Sequence, residues 1–137
     1  MNENASTNSK KVLVVEDERP LAKALEMKLK EVGFEVETLD NGKDALAMVQ
    51  KESFNLIILD ILMPKMNGLK FLEEVVKKGI EIPVIVASNL SREDEIKQAK
   101  RLGAVDYFIK SETSLGDIVS IVQQRLNGTQ SAQSASK

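Results

Sequence analysis

The sequence predicts an α/β domain, a (βα)5 doubly wound parallel sheet with helices on both faces. Five short apolar segments rich in β-branched residues recur along it, and each is followed by a stretch whose apolar residues fall at helical spacing. Three of the five lack the in-out alternation of a strand with one wet face, as buried parallel strands do. Strands alternating with helices of this length require right-handed crossovers, which lay the helices on both sides of the sheet.

The first strand is read at Val12-Leu13-Val14-Val15, followed by a helical stripe of Leu21, Leu25, Leu29 and Val32 that ends at Gly33. Phe34 to Thr38 forms the second strand, and Asn41 caps a helix whose apolar side is Ala45, Leu46 and Val49. Leu56-Ile57-Ile58-Leu59 is the third strand, with Leu69, Leu72 and Val76 as its stripe. Pro83-Val84-Ile85-Val86 is the fourth, with Ser91 as cap and Ile96, Ala99 and Leu102 as the stripe before Gly103. Val105 to Ile109 closes the set, with Ser114 as cap and Leu115, Ile118, Val119, Val122 and Leu126 on the last helix. Residues 1–9 and 128–137 are polar and small, too poor in apolar area to offset their ordering entropy, so both are expected to be disordered tails around a domain at 10–127.

Composition removes several function classes. The 137 residues suit one domain, and 42% hydrophobic content is ordinary for a soluble one. With 19 basic against 21 acidic residues, net charge proposes neither direct nucleic-acid binding nor a membrane surface. The chain has no cysteine and no histidine, which excludes disulfides, thiolate metal sites, zinc hydrolysis and His-dependent triads. No apolar run is long enough to span a bilayer and no secretory h-region is present, so a cytoplasmic protein is expected.

Ligands of open parallel sheets bind at the carboxyl ends of the strands. There the first strand ends in Glu16-Asp17, the third in Asp60, the fourth in Ser88 and the fifth in Lys110. Three carboxylates at one edge repel unless a hard, oxygen-preferring cation joins them, and Mg²⁺ suits so sparse a cage. Carboxylates, a metal, a hydroxyl and an ammonium on neighbouring strands are the parts needed for phosphoryl transfer to a carboxylate. Asp60, held rigidly at the end of the central apolar strand Leu56 to Leu59, is the best placed nucleophile.

These residues resemble the receiver domain of response regulators in bacterial two-component systems. The resemblance runs from Lys11 to Leu126 and rests on Glu16-Asp17-Glu18, on Leu59-Asp60-Ile61-Leu62-Met63-Pro64 with Asn67-Gly68, on Ala87-Ser88-Asn89, and on Gly103-Ala104 with Tyr107 and Lys110. It implies the flavodoxin-like strand order 2-1-3-4-5, with Asp60 as phosphoacceptor. It implies Mg²⁺ held by Asp17, Asp60 and the main-chain carbonyl of Leu62, with Glu16 acting through water. Ser88 would be the switch hydroxyl, Lys110 its cationic companion, and Tyr107 the aromatic whose rotamer follows the switch. Pro64 and Gly68 would shape the turn after the phosphoacceptor. A histidine kinase or phosphotransfer protein would supply the phosphoryl, since this chain has no histidine. Output to a protein partner or a homodimer would pass through helix four, strand five and helix five, where Ile121 either exposes apolar area or widens the core stripe. Self-phosphorylation and self-dephosphorylation would be its only catalysis, not turnover as an enzyme.

Two departures from the family pattern matter. Lys110 is followed by Ser111 where the family has proline after a cis bond, and a non-proline cis bond costs about 2.5 to 4 kcal/mol, so the lysine either sits on a strained loop or shifts with a trans one. Leu62 and Leu90 stand where the family often places groups that act on the attacking water, which implies slow self-dephosphorylation. Competing readings are a Mg²⁺-dependent phosphohydrolase, which would want an acid at Leu62, a nucleotide-binding domain, which would want glycine where Glu16 to Pro20 is acidic, and a non-phosphorylated scaffold. No effector follows Leu126, so the chain is read as a free-standing receiver or a piece of a longer regulator.

Overall fold

The computed structural model describes residues 10–127, and the two expected tails lie outside them. Within that range five strands alternate with five helices: β1 (Lys11–Val15), α1 (Arg19–Glu31), β2 (Glu35–Leu39), α2 (Gly42–Lys51), β3 (Leu56–Leu59), α3 (Gly68–Lys77), β4 (Val84–Ser88), α4 (Glu93–Arg101), β5 (Asp106–Ile109) and α5 (Leu115–Leu126). A short 3₁₀ turn, Lys110–Glu112, joins β5 to α5. The strands are parallel and ordered β2-β1-β3-β4-β5, the flavodoxin-like arrangement expected. Among the described residues, no helix is long and apolar enough to cross a membrane.

The pleat sends alternate residues of each central strand to opposite faces, and the two faces build two cores. Leu13, Val15, Ile57, Leu59, Val84 and Val86 pack with Ala45, Val49, Phe71, Leu72, Val75 and Ala99 of α2, α3 and α4. Val12, Val14, Leu56, Ile58, Ile85 and Phe108 pack with Leu25, Leu29, Ile118, Val119 and Val122 of α1 and α5. β3 is buried at every position, which explains its unbroken run of apolar residues. β2, at the sheet edge, alternates instead: Glu35 and Glu37 are exposed and Val36 is buried.

Three helices stop in the same way. Beyond the C-termini of α1, α3 and α4 stand Gly33, Gly79 and Gly103, all at positive φ, and the next residue's N–H turns back to the helix: Phe34 to Leu29, Ile80 to Val75 and Ala104 to Ala99. This geometry satisfies the last carbonyls and folds an apolar residue back onto the helix it ends. It also corrects two stripe assignments. Val32 is exposed because α1 has already ended, and Phe34 takes the buried place instead. Val76 is exposed because α3 turns Val75 inward, in step with Phe71. Val75 follows buried Phe71 by four residues and buried Leu72 by three, so it completes the inward face of α3.

Asn41 and Ser114 cap α2 and α5 as expected, each side chain accepting an N–H three residues on, and Asn67 caps α3 likewise. Ser91 does not cap α4. That helix begins one residue later, where the Arg92 N–H donates to the Glu95 carboxylate at 3.2 Å and three acidic residues in the first turn favour the helix dipole. Ile121 is partly buried against the α1–α5 core, so it widens that stripe.

Candidate functional site

β1 and β3 are neighbours, and their carboxyl ends deliver Glu16, Asp17 and Asp60 to one place. One carboxylate oxygen from each lies within 4.8 Å of the other two. Glu16 and Asp60 are buried, whereas Asp17 is exposed at the rim. Lys110 arrives from the end of β5 with its side chain 10% exposed and its Nζ 3.0 Å from Glu16 and 3.4 Å from Asp60. The Lys110–Ser111 peptide is trans, with no cis bond among the described residues, and the lysine still reaches both carboxylates.

Three carboxylates against one ammonium leave a surplus of negative charge, and the acids respond. Burial pushes Glu16 up to about 7, with Asp60 adding repulsion, against the pull of the Lys110 ammonium and the Glu18 N–H. Asp60 is likewise raised, by burial first and by Asp17, while Lys110 opposes. Burial alone would lower Lys110, but the hydrogen bond to Glu16 and the charges of Asp60 and Glu16 outweigh it and hold the ammonium firmly protonated. A hard divalent cation fits this donor set: all-oxygen, net negative, open to solvent on the Asp17 side.

Gly68 fixes the loop after Asp60 by having no side chain. A Cβ there would collide with the Asp60 carbonyl oxygen and press on Ile61, so its role is close approach rather than left-handed backbone. The Gly68 N–H donates to Ile61 O at 2.8 Å. The left-handed residues of this loop are Lys65 and Met66, at φ 59 and 122, directly after Pro64. Leu62 lies two residues past Asp60 and is 60% exposed.

On the other side, Ser88 ends β4 and is buried, its hydroxyl accepting the Leu90 N–H at 3.2 Å. The Tyr107 hydroxyl donates to the Leu90 carbonyl at 2.7 Å, and burial raises its pKa, with Ser88 close enough to pull the other way. Ser88 at the end of β4, Leu90 in the loop before α4 and Tyr107 on β5 thus form one connected group. Sequence reasoning assigned no task to Asn89, whose side chain accepts the Ser111 N–H at 2.9 Å. The signal was present in the missing proline: residue 111 has an N–H to donate. Beside Glu16 a cleft between α1 and the end of β2 is lined by Arg19, Lys23, Leu39 and Asp40.

Comparison with known proteins points one way. The family described as Response regulator receiver domain matches residues 12–123. A curated relative, the probable transcriptional regulator ycf27 of Cyanophora paradoxa, is 39% identical over 103 residues, 75% of this chain and 43% of the relative. The chain therefore spans less than half the length of that relative. Among solved structures, the receiver domain of the Francisella response regulator 1452 superposes with a TM-score of 0.83 at 27% identity, covering 88% of this chain and 99% of that one. The phosphorylated cyanobacterial phytochrome response regulator RcpA superposes with a TM-score of 0.77 at 29% identity, covering 88% and 96%.

Proposed function

The chain belongs to the response regulator receiver domain family, and from that premise we propose that it is a cytoplasmic phosphoacceptor whose signal is a phosphoryl group on Asp60. One observation carries the reading: Asp60 is buried with Lys110 Nζ 3.4 Å from it, inside an acidic cluster at the carboxyl edge of the sheet. Asp17, Asp60 and the Leu62 carbonyl would hold Mg²⁺, with Glu16 contributing through water. Bound there, the ion would neutralise charge on the transferring phosphoryl group.

The Asp60 carboxylate oxygen attacks the phosphorus of a phosphohistidine on a histidine kinase or phosphotransfer protein, forming an O–P bond as the P–N bond breaks and the imidazole leaves. Lys110 offsets the negative charge on the equatorial oxygens. The Ser88 hydroxyl, now accepting from Leu90, turns to donate to a phosphoryl oxygen, and the Leu90 carbonyl bonded to Tyr107 moves with it. The α4–β5–α5 face then changes its fit for a protein partner or a second copy, with no direct contact to nucleic acid by this domain. That the RcpA neighbour is a phosphorylated protein supports the reading.

The test is intact mass after incubation with acetyl phosphate, with and without Mg²⁺, on wild type and Asp60→Asn. A labile gain of one phosphoryl group that needs both Mg²⁺ and Asp60 is the expected result. Steady release of phosphate from a phosphomonoester would instead make the chain a phosphohydrolase, and no gain from acetyl phosphate or a kinase would leave it a scaffold.

A further inference from the structure

Lys110 reaches the acidic cluster on a turn that lacks the family's proline, so something else must hold that turn. The β4–β5 ladder closes with Ser88 opposite Ile109. One residue past Ser88, the Asn89 side chain takes over from the backbone and accepts, at 2.9 Å, the N–H of Ser111, two residues past Ile109. Thr113 ties the same turn only to itself, through its hydroxyl to the Ile109 carbonyl at 3.0 Å and its N–H to the Lys110 carbonyl at 3.4 Å. A proline at 111 would have no N–H to offer, so this tie exists only because the proline is absent.

We propose that Asn89 is a positioning residue, which acts through the Ser111 amide to keep the Lys110 ammonium on Glu16 and Asp60. Its functional readout rests on Asp60 being the phosphoacceptor, while its structural readout does not. The bond joins the loop of the switch hydroxyl to the loop of the cation, so a change in one loop bears on the other.

The experiment compares wild type, Asn89→Ala, Asn89→Asp, Ser111→Ala, Ser111→Pro and Asn89→Ala with Ser111→Pro by nitrogen-15 NMR and by phosphoryl uptake from acetyl phosphate. In Asn89→Ala the Ser111 amide should exchange about three- to tenfold faster, as loss of one net hydrogen bond implies. The Lys110 ammonium signal, visible only when that group is held, should broaden away, and uptake should slow by a similar factor. Ser111→Ala keeps the amide and should match wild type; Asn89→Asp keeps the acceptor oxygen and should restore the Ser111 protection and the Lys110 signal. In the Ser111→Pro background, Asn89→Ala should have no further effect.

A wild-type Lys110 signal in Asn89→Ala, or an undiminished effect of Asn89→Ala with proline at 111, overturns the proposal. If Ser111→Pro does not fold, the contrast between Asn89→Ala and Asn89→Asp decides it. If wild type takes up no phosphoryl at all, the phosphoacceptor reading fails, and the Lys110 signal alone then supports or overturns the tie.

Discussion

Glu16 is held where its charge is unwelcome, and the consequence is a measurable pH dependence. Its folded pKa of about 7 lies above the ordinary 4.5, so between those values the folded chain keeps a proton that the unfolded chain releases. Stability from this group is therefore present below about 4.5 and lost as pH rises through about 7, and Asp60, also raised, acts in the same direction. Without divalent cations, the urea midpoint should fall between pH 5 and pH 7.5, and Glu16→Gln should flatten that slope. Lys110→Ala should slow phosphoryl uptake by about 100-fold, the usual effect of removing one preorganised charge partner, read by mass against time. Leu90→Glu should shorten the lifetime of the acyl phosphate, because neither Leu90 nor the exposed Leu62 can orient water. An unchanged lifetime would remove the leucine explanation. The carboxylates, the hydroxyl and the lysine were legible because strand ends are legible. Asn89 left no periodic mark, since its side chain completes a ladder, and its one signal was the missing proline at 111, which leaves an N–H to be met.

The helices show where sequence patterns stop informing. Val75 and Val76 are adjacent and chemically alike, and a stripe drawn through Leu69 and Leu72 alone favours Val76; with Phe71 included, the buried face runs through Phe71, Leu72 and Val75. Ser91 offered a cap that a better-placed Glu95 made unnecessary. Asn41 was legible and is used: buried, it caps α2 through Asp44 N–H at 2.8 Å. Asn41→Ala should lower stability by about 1 kcal/mol in urea unfolding while leaving phosphoryl uptake near wild type, since it touches none of the reacting groups. Gly68→Ala should do both kinds of damage. Its Cβ would push on the carbonyl of Asp60 itself, so stability should drop by about 1 to 3 kcal/mol and uptake should fall with it.

Across the whole molecule, the strand order followed from the family resemblance, and the coverage of both sheet faces from the alternation of strands with helices. The loops between them were less legible, because their conformations depend on tertiary contacts such as Gly68 against Asp60. The parallel topology gathers four strand ends at one edge, and the Lys110–Glu16 contact joins residues 94 apart in the chain. That span governs when the site can come into being. A ribosome that has released only the first hundred residues has already made every carboxylate of the cluster, yet neither β5 nor Lys110, the ammonium that offsets part of their charge. A chain that stopped there would bring the acids together without the Lys110 ammonium that lies 3.0 Å from Glu16 and 3.4 Å from Asp60. The last strand to be synthesised thus brings the one ammonium of the cluster, and the site is assembled only when the sheet is.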